Sequence, residues 1–381
     1  MTRIVPLRAP QEQVLERLRA VRADGDVPLI GDERWSDEQW GSVRDLAASA
    51  PLPEGTAWAA LTSGSSGAPR IVVRTAESWS RSFPAVTALL EAGPEDEVLL
   101  PAPASSSLTL FSLAHAEDGG PRPVLGRTGG GGSEDDGTGR SRAGHSPTAV
   151  HGTPQGLRAL LASDDPLTVR TALVGGSDLD PALRTAAEAH GIRVIAYYGA
   201  AELSFVAVDD GTGLRPFPGV DLEIRDGELW VRSPYAALGY LGRPAPLRTD
   251  GAWCTVGDLA EIESGVLRLR GRADGAILTA SATVVPEEVE AALRSVPGIA
   301  DAVVFGVPAA AVGHLVAALV EVESEATHDP DLRRSAEAAL TPASRPRLWF
   351  TGQVPRTPAG KLARAEALRL VLDGEVTRRA G

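Results

Sequence analysis

Ala59 to Arg74 reads AALTSGSSGAPRIVVR, and this stretch decides how the chain is parsed. Two apolar runs, Trp58 to Leu61 and Ile71 to Val73, flank a core of hydroxyls and glycines: Thr62, Ser63, Gly64, Ser65, Ser66 and Gly67. The pattern predicts a strand, a tight loop and a second strand. Such a loop can wrap an anion, because glycine lets the backbone turn its N–H groups toward one point while Ser and Thr add neutral donors. It is not a Walker loop: GSSGAPR lacks the Gly-Lys-Ser/Thr that opens a helix, and β-branched residues follow instead. An ordinary Ser/Gly surface turn has the same composition, so the loop alone leaves both readings open.

A second feature tips the balance. Lys361, in VPRTPAGKLAR, is the only lysine; every other residue of the 37 counted as Lys or Arg is arginine. An arginine habit across a chain says nothing about function, but a lone exception does. Lysine carries a compact charge on a flexible stem that can reach a single oxygen, which a planar guanidinium does poorly.

Bulk properties set the bounds. A chain of 381 residues, 43% hydrophobic, can hold a large domain and a smaller one. A net charge of −13 argues against a nucleic-acid surface and against an anionic-membrane binder. Cys254 is the sole cysteine, which excludes an internal disulfide framework, and no Cys/His spacing resembles a zinc site. The opening MTRIVPLRAPQEQVLERL has no apolar signal core and no stretch reaches membrane-spanning length, so the expectation is a soluble, cytoplasmic protein.

Residues 1–55 read as one or two helices, a short preamble. From Glu77 onward, strands centred on Glu97–Leu100, Thr148–His151, Arg170–Val174 and Arg193–Ala196 alternate with helices. This predicts an α/β fold with a parallel sheet covered on both faces, whose ligands sit where strands end in loops. Gly126 to Ser146 is Gly-rich and charged, a surface loop. After Gly211 the texture changes to short β segments, with Asp226-Gly227 as a hairpin signal. From Pro286 a compact α+β unit follows. The resulting division is a large N-terminal domain over 1–273, with a β-rich subdomain, and a small C-terminal domain over 274–381.

Seven motifs stand in a fixed order: LTSGSSGAPRIV; VGGSDL, from Val174 to Leu179; YYGAAE, from Tyr197 to Glu202; GELWVRSPYAALGY; WCTVGDL; GRADGAIL; and PRTPAGK. Any one is weak. In this order, over residues 58–364, the chain resembles the adenylate-forming (AMP-binding) enzyme superfamily, of the acyl-CoA and aryl-CoA synthetase type. The resemblance makes it a compact member with a shortened N-terminal region, its small domain joined by a hinge at Asp274. It implies ATP, Mg²⁺ and CoA, or a carrier-protein phosphopantetheine in place of CoA.

The implied reaction activates a carboxylate as acyl-AMP with release of pyrophosphate, and charge builds on phosphate oxygens, so donors must be placed in advance. Thr62, Ser63, Gly64, Ser65, Ser66 and Gly67 would hold the β- and γ-phosphates. Gly175, Gly176 and Ser177, with Tyr197, Tyr198, Gly199, Ala200 and Ala201, would form the nucleotide and carboxylate loops, Tyr198 stacking on adenine. Glu202 would bind the metal. Asp258 would accept from the ribose hydroxyls, with Arg272 assisting, and Lys361 would bridge the carboxylate and α-phosphate. The acyl pocket would be lined by Ser106, Leu108, His151, Gly152, Gly175 and Gly199.

Three departures matter. Arg70 stands where the family usually has lysine, Ala201 where it often has threonine, and Ala280-Ser281 where it has Gly-Gly. The last lies on the thiol's route, so adenylation is the firmer half-reaction. Small residues with Leu108, Leu110 and Phe111 suggest an apolar or aryl carboxylic acid. The leading expectation is a CoA ligase; a relative that loads an acyl carrier protein or forms an amide, and a non-catalytic nucleotide binder, are the rivals. Neither the acid nor the oligomeric state is written in the sequence.

Overall fold

The two apolar runs pair as antiparallel strands, Trp58–Thr62 with Arg70–Arg74, in register from Trp58 opposite Arg74 to Thr62 opposite Arg70. In this computed structural model the described residues are 2–32, 35, 37–62, 70–126, 146–163, 167–242, 247–272, 275, 277–278, 283–309, 313–323, 331–340, 344–357 and 361–378. Ser63, Gly64, Ser65, Ser66 and Gly67 lie outside them, as do Asp274, Ala280, Ser281 and residues 127–145.

The hairpin is the centre of a five-stranded sheet, and this corrects the reading of the first 55 residues. Ile4–Leu7 and Val27–Ile30 are parallel strands flanking the helix Gln11–Ala23, and Leu29 pairs with Ala59. Both expected helices are present, at Gln11–Ala23 and Asp37–Ser49, but the first lies within a βαβ unit whose strands the sequence reading lacks. Gly239–Tyr240 closes the far edge against Val72 and Val73.

The second sheet has seven strands. Arg122–Leu125, Glu97–Leu100, Ala149–Gly152, Thr171–Val174 and Arg193–Ala200 run parallel in that spatial order, followed by antiparallel Ser204–Asp209 and Arg215–Pro216. Its helices start where side chains replace the missing backbone partners of a first turn. Ser106 Oγ accepts from Thr109 N at 3.2 Å, Thr153 Oγ1 from Gly156 N at 3.2 Å and Asp180 Oδ1 from Ala182 N at 2.8 Å. Each such cap contributes about 1 kcal/mol.

One apolar core joins both sheets to the β-rich segment. Aromatic residues are only 4% of the chain, yet they concentrate in this seam. Trp58, Trp79, Phe111, Phe205, Phe217 and Tyr235 touch in sequence with ring centroids 5.6, 5.6, 5.0, 5.2 and 5.5 Å apart. The hairpin Asp221–Arg225/Glu228–Arg232 turns on Asp226 (φ 52°) and Gly227 (φ 81°), the left-handed pair that a two-residue turn requires.

The C-terminal part builds a four-stranded sheet from Ile299–Ala309, Gly313–Val322, Leu348–Thr351 and Thr377–Arg378, with helices Pro286–Arg294, Leu332–Ala338 and Arg364–Leu372. Its two buried clusters draw only on residues from Ile277 onward. Arg270, on the strand Val266–Arg272, reaches Glu288 at 2.8 Å through a half-exposed ion pair.

Phe111 tests the seam, since its ring meets Trp79, Phe83, His115, His151 and Phe205. We expect Phe111→Ala to lower unfolding free energy by about 3–5 kcal/mol, read as a drop in urea midpoint at unchanged slope.

Candidate active site

The parallel strands place three motif segments side by side. Gly152 and Val174 end their strands in register with Ala196, beyond which the strand Arg193–Ala200 continues. Thr153 and Gly175 to Leu179 therefore leave the sheet along one edge beside the protruding Tyr197 to Ala200, where open α/β sheets bind ligands. A bridge between Leu61 and Ser106 brings the Thr62 end of the central hairpin against the helix start that carries Leu108.

Glycine is required here by contact. A Cβ on Gly175 would fall 2.2 Å from Cζ of Tyr197, so the phenol ring lies directly on that backbone. A Cβ on Gly199 would fall 2.2 Å from the Ser204 carbonyl oxygen. Tyr197 to Ala200 are not loop: they extend the strand Arg193–Ala200 and pair with Ser204–Asp209. The turn comes after Ala200, so Glu202 sits at its tip.

Two hydrogen bonds knit distant motifs together. The Tyr198 hydroxyl donates to Asp258 Oδ2, joining the YYGAAE and WCTVGDL segments across 60 residues. The Tyr240 hydroxyl donates to Glu202 Oε1, and Glu202 is buried. Its main-chain carbonyl accepts from Ala237 N at 2.7 Å. Asp258 opens its strand opposite Arg272, whose side chain lies outside the described residues. Among the described residues no group of three His, Cys, Asp or Glu converges as a metal cage. A single carboxylate fits Mg²⁺ all the same, because that ion keeps several waters and is held by one or two carboxylates together with substrate phosphates.

Beneath Tyr197 runs a buried polar chain. Ser112 Oγ and His151 Nδ1 are 2.7 Å apart, and His151 Nε2 lies 3.0 Å from the Tyr197 hydroxyl. His151 is fully buried against Phe205 and Tyr197, so it supports the pocket edge from below. Burial pushes its pKa down to about 3, and that of His115 down to about 4. Burial likewise raises the Tyr197 hydroxyl pKa. All three groups are therefore neutral near pH 7 and act by hydrogen bonding.

Lys361 is exposed, on the loop ahead of helix Arg364–Leu372. Its amide donates to Thr357 Oγ1 at 3.2 Å and its carbonyl accepts from Thr357 N at 2.7 Å, which shapes the loop locally. Gly176 and Ser177 are also exposed, with Gly176 at φ 89°. Two residues escaped the sequence reading. Tyr240 stands in plain view inside the GELWVRSPYAALGY motif, and Arg74 closes the buried run Ile71-Val72-Val73. The Arg74 guanidinium is fully buried, with its pKa lowered to about 9 by desolvation against the opposing charge of Glu202.

The chain belongs to the AMP-binding enzyme family. Residues 6–241 match that family and residues 288–361 its C-terminal domain. Among relatives, the 2-succinylbenzoate–CoA ligase of Salmonella typhimurium is 29% identical over 305 residues, covering 76% of this chain and 63% of the ligase. The chain thus spans less than two thirds of that relative's length. Escherichia coli MenE with bound OSB-AMS superposes with a TM-score of 0.79 at 22% identity, over 97% of this chain and 88% of that one. The amide bond synthetase McbA from Marinactinospora thermotolerans gives a TM-score of 0.69 at 26% identity, over 93% and 78% respectively.

Three substitutions test these packing and burial effects. The folded-state pKa of His151 lies below its ordinary 6.5, so the unfolded chain takes up the proton first; stability is full above about pH 6.5 and is lost as pH falls toward about 3. In urea titrations between pH 6 and 4, His151→Gln should remove about 1.4 kcal/mol per pH unit from that slope. Gly199→Ala should cost about 1–3 kcal/mol through its backbone clash. Gly41→Ala, in helix Asp37–Ser49 with nothing within 4 Å of its Cβ position, should stabilise by about 0.5–1 kcal/mol.

Proposed function

We propose that this protein activates a carboxylic acid with ATP and passes the acyl group to a thiol, most readily CoA. The observation that carries the reading is the Tyr198–Asp258 contact. It joins the segments that this reading gives to the nucleotide base and to the ribose. In the first step a carboxylate oxygen attacks the ATP α-phosphorus, the bond to the bridging oxygen breaks and pyrophosphate leaves. In the second a thiolate attacks the acyl carbonyl and AMP leaves.

The residues divide the work. Thr62 with Ser63 to Gly67 holds the β- and γ-phosphates, and Asp258 with Arg272 takes the ribose hydroxyls. Tyr198 covers adenine while its hydroxyl steadies Asp258. Gly175, Gly176, Ser177, Gly199, Ala200 and Ala201 let base and acyl group approach the main chain. Glu202 holds Mg²⁺, which when bound neutralises phosphate charge. Lys361 draws the carboxylate to the α-phosphate against the repulsion of two anions, delivered from a C-terminal domain over 274–381 that turns about Asp274. Ser106, Leu108 and Gly152 border an acyl site floored by Tyr197 and His151, suited to an aryl or medium-chain apolar acid.

A second acceptor has a specific argument in its favour. The similarity to an amide bond synthetase allows an amine as the attacking group, and carrier-protein phosphopantetheine presents the same thiol as CoA. Pyrophosphate release across a carboxylate panel, repeated with CoA, a carrier protein and simple amines, separates these. Lys361→Ala should abolish acyl-AMP formation while sparing thioester formation from preformed acyl-AMP. Equal loss of both steps would refute the swivelling-lysine scheme.

A further inference from the structure

The structure assigns Arg74 as the positioning residue of Glu202, a role that rests on the reading of Glu202 as the magnesium ligand. Arg74 ends the strand that begins just after the Thr62 loop and is 0% exposed. Its Nη1 donates to Ser78 Oγ at 3.1 Å and to the Tyr235 carbonyl at 3.0 Å; its Nη2 donates to the Ala201 carbonyl at 2.6 Å. The guanidinium carbon lies 4.9 Å from the centre of the Trp79 ring, and Nε is buried without a hydrogen-bond partner.

These contacts clamp the turn that carries Glu202 from two sides. On the main-chain side, Arg74 holds the carbonyl of the preceding residue. On the side-chain side, Tyr240 donates to the carboxylate. Tyr240 is itself pinned to the same strand, paired with Val72, while Leu238 N donates to the Val73 carbonyl at 2.9 Å. One strand thus carries the phosphate loop at its start, the Tyr240 anchor along its length and the guanidinium at its end. Glu202 is thereby tied to this strand through both its main chain and its side chain.

A fully buried guanidinium is an expensive way to fill a core. Apolar groups of similar volume are often neutral or stabilising in its place, whereas an arginine fork can hold two carbonyls at once. Arg74 spends that fork on Tyr235 and Ala201, the residues before Ala236 and Glu202. Glu202 therefore meets an incoming metal–nucleotide already oriented, with no ordering left to do on binding.

The test measures ATP affinity by equilibrium dialysis, in Mg²⁺ and in EDTA, for the full-length protein and for Arg74→Met, Arg74→Lys and Tyr240→Phe, each checked by thermal unfolding. Wild type should bind about tenfold tighter with Mg²⁺ than with EDTA. Arg74→Met should keep its EDTA affinity within about twofold and lose the magnesium gain. Arg74→Lys, which lacks the fork, should retain part of the gain, and Tyr240→Phe should lose it as Arg74→Met does. A full magnesium gain in Arg74→Met, or equal weakening with and without the metal, overturns the assignment. If Arg74→Met does not fold, Arg74→Lys decides: an undiminished gain overturns it and a reduced gain with intact EDTA affinity supports it. No magnesium gain in wild type would instead sink the reading of Glu202, and this inference with it.

Discussion

The antiparallel pairing of Trp58–Thr62 with Arg70–Arg74 is the constraint on which the remaining architecture hangs. Its inner neighbour is a parallel βαβ unit and its outer neighbour is Gly239–Tyr240, so one hairpin fastens the start of the chain to a segment far along it. Ladder pairing fixes which face each side chain takes, because a slip of one residue would reverse every one of them. With Ile71, Val72 and Val73 fully buried, that register has no alternative that keeps them from water.

The second sheet depends on the hairpin through the shared apolar seam. Trp58 meets Trp79, Trp79 meets Phe111, and Phe111 meets Phe205 on the antiparallel edge of the seven-stranded sheet. Contacts of this kind are dense and directional, and a rigid seam transmits position well. The consequence is that the paired strands Trp58–Thr62 and Arg70–Arg74 and the seven-stranded sheet are held relative to each other by packed aromatic rings, while hydroxyl contacts such as Tyr198–Asp258 add directional ties.

What could be read from sequence follows how local the cause is. Asp226-Gly227 declares its hairpin because the turn needs left-handed backbone at both positions. The parallel strands declare themselves through alternation with capped helices. Ile4–Leu7 and Val27–Ile30 do not: each is four residues long with a proline inside, and only the ladder that runs from Ile4–Leu7 through Val27–Ile30 to Trp58–Thr62 makes them strands. Tyr198, Glu202 and Asp258 were named through the family resemblance of their motifs. Arg74 was not, since a charge at the end of an apolar run reads as solvent-facing. Its burial is decided by carbonyls 127 and 161 residues away.

The two C-terminal clusters share no side chain with the cores that precede Ile277. What spans the junction at Arg270 and Glu288 is a half-exposed ion pair, and such pairs give back to water most of what they gain. Among the described residues no buried apolar cluster crosses that junction, where Val285 lies against the backbone of Gly271. On the proposed reading, a turn about Asp274 would break that ion pair without dividing any of the buried clusters.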